Sequence, residues 1–311
     1  MKPTFRHVEA GLWGLLVGDA VGVPYEFHPP QTLPPTGEID LLPPPSFSRS
    51  YSHIEPGTWS DDGAQALCLA SSLIECPAWD VDDFAARLLR WHKRGYLAVD
   101  GRVFDIGVQT GSALRRLLEG TPPLLAGLAG ERNNGNGGLM RSLPVALLVP
   151  GDDSELVRVA HEQSAVTHRH PRSQVCCSLY CLWARREMEQ TSNPWEAAVD
   201  ALRALLPAGS DHRRELEEVI LPAAANPPRG TGYVVDALHS VRVACKQPTY
   251  ETVVQSAIAF GNDTDTTACI AGGIAGIRHG REGIPARWHS GLRGRPLLDS
   301  VLHRAWVRLG S

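Results

Sequence analysis

Apolar residues recur at spacings of three and four along most of this 311-residue chain, the repeat of an amphipathic α-helix. Alternation at every second residue, which marks a half-buried strand, is nearly absent. The sequence therefore predicts an all-α fold, with residues 1–311 forming one domain. The pattern predicts helices at 8–21, 64–74, 81–92, 108–118, 154–166, 173–188, 195–205, 213–220, 232–245, 250–259 and 266–279.

Glycine and alanine are frequent inside two of these helices, at 14–20 and 271–277. Because glycine in a helix costs about 1 kcal/mol relative to alanine, its repeated use predicts helices packed backbone to backbone. Seven prolines lie between 28 and 46 and exclude a helix there. That segment is either a lid beside Glu26 or a surface excursion.

The composition favours a globular protein and argues against nucleic-acid-binding and membrane-spanning classes. With 43% hydrophobic and 21% charged residues the chain is typical of a globular enzyme, and its net charge of −4 argues against non-specific nucleic-acid binding. No run of eighteen apolar residues is present, so no membrane span is expected. The seven cysteines are odd in number and contain no C-x-x-C spacing, which predicts reduced, buried thiols and a cytoplasmic location.

Two short acidic clusters each lead directly into an apolar helical run, and neither has a neighbouring Lys or Arg in the sequence. N-capping would explain one such residue per helix. Both clusters consist of hard oxygen ligands without His or Cys, which suits Mg²⁺ or Mn²⁺ better than zinc. We interpret them as a site for two divalent ions about 3.5–4 Å apart. The candidate metal ligands are Ser60, Asp61, Asp62, Asp263, Asp265 and Thr266.

Three further acidic residues are candidates for a role, and two of them have two interpretations each. Glu26 lies between two aromatic residues, where it would bond a nucleophilic water or a substrate hydroxyl, or is a surface glutamate. Asp105 lies between apolar residues at a helix start, where it is a cap or a carboxylate aimed at a cationic substrate group. Asp19 is expected to be structural and to bond backbone amides.

A glycine-rich segment at 133–141 leaves backbone amides unobstructed, and a helix beginning near Ser142 would add its dipole. This combination is suited to a phosphate or pyrophosphate, although a plain interhelical loop has the same composition. His168 and His170 precede Pro171 and are expected on a solvated turn rather than at a metal.

These segments occur in the order seen in the ADP-ribosylglycohydrolase family, which this chain resembles from about residue 8 to about residue 290. The matching segments are GDAVGVPYEF (18–27), WSDDG (59–63), FDIG (104–107), GNGGLMR (135–141), the His168 turn, GNDTDTTACIAGGIAG (261–276) and IPARW (284–288). The resemblance implies an orthogonal helical bundle with a binuclear Mg²⁺ or Mn²⁺ centre in a central cleft, held by the six ligands above.

The resemblance also implies roles for single residues. Glu26 would lie near the metals and the scissile ribose, and Asp105 would face the guanidinium, as in arginine-specific members. The diphosphate and distal ribose would be held by Gly135, Asn136, Gly137, Gly138 and Met140, with His168 nearby. Two departures stand out: Gly63 replaces the last threonine of the usual TDDT, and Gln109-Thr110-Gly111 replaces Thr-Thr-Arg after FDIG.

The expected function is a metal-dependent hydrolase that releases ADP-ribose from a modified acceptor, with the N-glycosidic arginine linkage favoured. Glu26 or Asp61 would take the proton from water. The substrate would be an ADP-ribosylated protein or small acceptor. The alternatives are a two-metal nucleotide phosphohydrolase and a non-catalytic protein that binds ADP-ribose.

Overall fold

The computed structural model describes residues 3–310, which form helices joined by loops and, within that range, contain no strand. Two isolated bridges join Leu128 to His168 and Gly135 to Tyr233. The helices are α1 (Phe5–Gly22), α2 (Asp61–Glu75), α3 (Val81–Arg94), α4 (Val108–Leu118), α5 (Pro123–Ala126), α6 (Leu143–Leu148), α7 (Asp153–Ala165), α8 (Pro171–Met188), α9 (Pro194–Leu205), α10 (Asp211–Arg214), α11 (Leu221–Ala223), α12 (Val234–Ala244), α13 (Tyr250–Ile258), α14 (Thr264–His279), α15 (Ala286–Gly291) and α16 (Arg295–Leu309).

The all-α prediction is confirmed, although the helices differ in detail from those predicted. A π-helical stretch, Glu215–Ile220, joins α10 to α11, so the predicted helix at 213–220 is not regular. The prediction missed α16, although Leu298, Val301, Leu302 and Ala305 bury one face of it. Both α2 and α14 begin earlier than predicted, so their acidic residues lie in the first helical turn.

Helices α1 and α14 pack at a distance that only glycine permits. A Cβ atom on Gly14 would lie 2.3 Å from the carbonyl oxygen of Gly272, and one on Gly18 would lie 2.2 Å from that of Ala268. The predicted backbone-to-backbone packing is therefore confirmed. The Thr264 hydroxyl donates to the carbonyl of Gly22 at 2.8 Å, which holds the start of α14 against the end of α1.

Helix α1 also positions the start of α2. The Asp19 carboxylate accepts from the backbone N–H of Ser60 at 2.9 Å and from that of Gly63 at 2.8 Å, in agreement with the structural role expected for it. Burial raises the pKa of Asp19 to about 7. A Cβ atom on Gly63 would lie 2.5 Å from Leu16 Cδ2, so a threonine here would crowd the packing of α2 on α1.

The proline-rich segment 28–46 is anchored to the body of the protein. The Tyr25 hydroxyl donates to the carbonyl of Asp40 at 2.8 Å, and the Trp288 indole donates to the Asp40 carboxylate at 2.6 Å. The Gln255 amide donates to the carbonyl of Ile39, which is buried. No residue of this segment lines the cleft that contains Glu26 and Asp61, so the structure favours a surface loop over a lid.

The seven cysteines are unpaired, and all except the partly exposed Cys76 are buried, as expected for reduced thiols. None of the described helices combines the length and the apolar character required to cross a bilayer.

Candidate active site

A cleft of about 340 Å³ opens where the end of α1 meets the starts of α2 and α14. It combines segments from both ends of the chain with the glycine-rich segment between them. The predicted residues that line it are Glu26, Asp61, Asp62, Asp105, Gly135, Asn136, Gly137, Met140, His168, Asp263 and Thr266. The tertiary structure therefore brings most of the predicted site together.

Three predicted residues do not line the cleft. Ser60 caps α2, because its hydroxyl accepts from the backbone N–H of Asp62 at 3.2 Å. Asp265 is fully buried, and one of its carboxylate oxygens accepts from the backbone N–H of Thr266. Gly138 is also buried, and a Cβ atom on it would lie 2.9 Å from the Ser164 hydroxyl. Capping thus accounts for Ser60.

Capping does not account for the aspartates. Asp263 occupies the N-cap position of α14 without capping it, and its carboxylate accepts instead from the Asn136 amide at 2.8 Å. The Thr266 hydroxyl lies 3.4 Å from the Asp62 carboxylate, although the two residues are 204 positions apart in the chain. The two acidic clusters therefore meet.

The carboxylates at this junction lack counter-charges. Glu26, Asp62 and Asp265 each have a buried oxygen without a hydrogen-bond partner. Burial, and then repulsion by Asp105 and Asp263, raises the pKa of Glu26 to about 10. Burial likewise raises the pKa values of Asp62 and Asp265 well above their ordinary range. Among the described residues that line the cleft, none is a lysine or arginine.

The donors present fit a divalent metal. Glu26, Asp105 and Asp265 bring one carboxylate oxygen each within 4.8 Å of one another. Unpartnered buried carboxylate oxygens are costly unless a cation meets them. The set contains hydroxyl and carboxylate oxygens, which are the ligands of Mg²⁺ and Mn²⁺. The acidic clusters could therefore hold a metal, as the sequence indicated.

Two of the alternatives from the sequence are wrong. Glu26 is not a surface residue, since it is only 4% exposed. Asp105 does not cap α4, because the N-cap residue of that helix is Gly107. The Asp105 carboxylate instead accepts from the Tyr51 hydroxyl at 2.7 Å.

Tyr51 is a site residue that sequence reasoning missed. It lies 54 positions from Asp105, and no motif marks it. Tyr51, Asp105 and Phe27 have positive φ angles of 50°, 57° and 61°. Residues held in this sparsely populated region cluster at functional sites, where the surrounding structure supports the strain. Backbone conformation of this kind has no signal in residue type alone.

The glycine-rich segment supplies fewer free amides than expected. The backbone N–H of Gly135 donates to the Gln109 side chain at 2.7 Å, and that of Asn136 donates to the carbonyl of Gly232 at 3.0 Å. Gly137 is the close-approach position, because a Cβ atom on it would lie 2.8 Å from the His168 ring. The Gln109 side-chain nitrogen is buried without a partner beside this loop.

The solvated turn predicted at 167–171 is wrong. His168 and His170 are 2% and 7% exposed. The backbone N–H of Arg169 donates to the carbonyl of Leu128, and Nδ1 of His170 accepts from the backbone N–H of Arg172. These contacts fold the turn onto the protein, and the sequence offers no indication of them.

The chain is similar to known proteins in sequence and in fold. The model of the ADP-ribosylglycohydrolase family matches residues 1–310. The chain is 28% identical to "ADP-ribosylarginine hydrolase Tri1" of Serratia proteamaculans (strain 568), over 90% of this chain and 73% of that protein. It is 28% identical to "ADP-ribosyl-[dinitrogen reductase] glycohydrolase" of Rhodospirillum rubrum, over 90% and 87%. The solved structure of an "ADP-ribosylglycohydrolase-related protein complex" is similar with a TM-score of 0.75 and 27% identity, over 98% and 99%.

Proposed function

The chain belongs to the ADP-ribosylglycohydrolase family, and we propose that it releases ADP-ribose from arginine side chains by attack of water at the anomeric carbon of the ribose. The observation that carries the proposal is the meeting of two acidic clusters at one cleft that also contains the glycine-rich loop. Proteins named as hydrolases of ADP-ribosylarginine and of ADP-ribosyl-[dinitrogen reductase] are among its relatives.

The acidic end of the cleft would bind the metal ions and activate the attacking water. Four residues that line the cleft would hold the divalent ions, namely Asp61, Asp62, Asp263 and Thr266. The buried Asp265 would join them, because its carboxylate lies within 4.8 Å of those of Glu26 and Asp105. Such ions lower the pKa of water and stabilise charge during hydrolysis. Glu26 has a buried carboxylate oxygen without a partner. Bound divalent cations beside it would favour its ionised form, which would accept the proton of the attacking water. In Asp61, by contrast, one carboxylate oxygen accepts from the Gln65 amide at 2.7 Å, so Glu26 is the better base.

The acceptor side is assigned to Asp105 and its neighbours. A guanidinium is permanently charged and planar, and a carboxylate meets it with charge-assisted hydrogen bonds. Tyr51 orients the Asp105 carboxylate through its hydroxyl. Phe27 also lines the cleft and is 67% exposed. The centroid of its ring lies 5.9 Å from that of the Tyr51 ring.

The test of the function is release of ADP-ribose from arginine-, serine- and nucleobase-linked substrates, compared side by side. We expect free ADP-ribose as the product and the arginine conjugate as the fastest substrate. Release of inorganic phosphate from nucleotides, without ADP-ribose, would instead identify a two-metal phosphohydrolase. Tight binding of ADP-ribose without turnover of any conjugate would identify a non-catalytic binding protein.

Replacing Gly137 by valine is expected to weaken ADP-ribose binding about tenfold. The added side chain would crowd His168 and close the approach to the loop backbone. Crowding of this kind costs about 1–3 kcal/mol. A loss of roughly 1.4 kcal/mol in binding free energy lowers the affinity tenfold. Isothermal titration calorimetry measures the change. Gly37→Val is the control, because no atom lies within 4 Å of a Cβ there. Unchanged affinity in folded Gly137→Val would show that the loop does not bind the ligand.

A further inference from the structure

A fully buried arginine, Arg141, is the last residue of the glycine-rich segment. Its guanidinium donates to the Gln65 side-chain oxygen at 2.8 Å, to the Gln163 backbone carbonyl at 2.8 Å and to the Thr167 hydroxyl at 2.7 Å. No carboxylate in the described structure forms an ion pair with it. A buried cation that is satisfied by neutral groups orients each of those groups, because a guanidinium only donates hydrogen bonds.

The bond to Thr167 determines where the hydroxyl proton of that residue points. The Thr167 oxygen accepts from Arg141, and its other neighbour is Nδ1 of His168 at 2.8 Å. If Nδ1 carried a proton, the buried Thr167 hydroxyl would face two donors and have no acceptor for its own proton. Such an unsatisfied buried donor is unfavourable. The hydroxyl therefore donates to Nδ1, and the ring proton of a neutral His168 is on Nε2.

The other ring nitrogen faces the ligand cleft. Nε2 of His168 would lie 3.3 Å from a Cβ atom on either Gly135 or Gly137, and within the described residues it has no hydrogen-bond partner. Burial, with the nearby positive charge of Arg141, lowers the pKa of His168 to about 3. The ring is thus neutral at physiological pH and offers one donor, which points towards the glycine-rich loop.

We propose that Arg141 and Thr167 act as positioning residues that fix His168 in the Nε2–H tautomer, so that it donates a hydrogen bond to an anionic oxygen of the diphosphate group. The identity of the ligand rests on the proposed function, whereas the tautomer follows from the contacts of the ligand-free protein. The opposite tautomer would present a nitrogen lone pair to an anion and repel it.

The same guanidinium orients a second group towards the metal end of the cleft. Because Arg141 donates to the Gln65 oxygen, the amide nitrogen of Gln65 is turned towards Asp61, to which it donates at 2.7 Å. One buried cation therefore fixes a hydrogen-bond donor at each end of the cleft.

The test measures the tautomer directly. ¹⁵N NMR of the ligand-free protein, with the His168 signals assigned by comparison with His168→Gln, should show the Nε2–H form in the wild type. Thr167→Val removes the hydroxyl and keeps the shape, so that preference should be lost and the affinity for ADP-ribose should fall about tenfold, the effect of one hydrogen bond to a charged group. Thr167→Ser restores the hydroxyl and should recover both.

A wild-type signal for the Nδ1–H form would overturn the proposal, and so would an unchanged tautomer in folded Thr167→Val. If Thr167→Val does not fold, the wild-type spectrum alone still decides which tautomer His168 adopts. Calorimetry in which Thr167→Val and wild type bind ADP-ribose equally would remove the role assigned to the donor. If wild type binds no ADP-ribose, the proposed function fails, while the NMR result still decides the tautomer.

Discussion

Replacing Asp265 by asparagine is expected to lower ADP-ribose release about a thousandfold. The buried Asp265 carboxylate has an oxygen without a partner and lies in the acidic cluster with Glu26 and Asp105. A catalytic divalent ion contributes several kcal/mol of stabilisation in the transition state, and each ~1.4 kcal/mol is a factor of ten in rate. EDTA should have the same effect on the wild type, and Mg²⁺ or Mn²⁺ should restore activity. Full activity after exhaustive chelation, with no metal found by elemental analysis, would contradict the metal site.

Melting temperature provides a readout independent of activity. In EDTA, Asp265→Asn should melt at a higher temperature than wild type, because it removes a buried carboxylate that lacks a counter-charge. Mg²⁺ or Mn²⁺ should raise the melting temperature of the wild type and leave that of the variant unchanged. Asp299→Asn, on the exposed side of α16, is the control that should alter neither property.

The chelated wild type should also lose stability as the pH rises. The pKa of Glu26 is raised from its ordinary 4.5 to about 10 by burial and then by Asp105 and Asp263. A group with a raised pKa in the folded state contributes its full stability below the ordinary value and loses it as the pH rises towards the folded value. The melting temperature in EDTA should therefore fall between about pH 5 and about pH 8, and Glu26→Gln should reduce that fall.

Replacing Asp105 by asparagine is expected to lower activity on ADP-ribosyl-arginine about tenfold to a hundredfold. The substitution keeps the shape of the side chain and removes its charge. Charge-assisted hydrogen bonds contribute roughly 1.5–3 kcal/mol, or one to two factors of ten at roughly 1.4 kcal/mol each. An ADP-ribosyl-serine conjugate offers no cation, so its smaller turnover should change little. The measurement is kcat/KM of wild type and variant on both conjugates.

The Tyr51→Phe variant and the amount of bound metal distinguish guanidinium binding by Asp105 from metal binding. Tyr51→Phe removes only the hydroxyl that Asp105 accepts from, so it should reduce arginine turnover less than Asp105→Asn does. The carboxylate of Asp105 also lies within 4.8 Å of those of Glu26 and Asp265. Equal losses on both conjugates, together with a loss of bound metal, would place Asp105 in the metal cluster instead of at the guanidinium.

The sequence alone was sufficient for the fold class, and it singled out many of the residues that line the candidate cleft. Helical periodicity is a local property of the chain, because one buried face repeats every three or four residues, and it predicted most of the long helices. The close packing of α1 on α14 was also readable, since repeated glycine in a helix is unfavourable without a packing reason. The acidic clusters were conspicuous for a similar reason, as carboxylates beside apolar runs require compensation.

The tertiary structure decided what the clusters do together. Asp62 and Thr266 meet across 204 positions, and Tyr51 reaches Asp105 across 54. The hydrogen bonds that link Arg141 to His168 through Thr167 depend on which atoms of neutral side chains face the buried guanidinium. Such contacts depend on how helices pack and on backbone conformations like the positive φ of Tyr51, and neither leaves a repeat in the sequence. Periodicity reports which face of a helix is buried, whereas the partner of each polar atom is set by the packed structure.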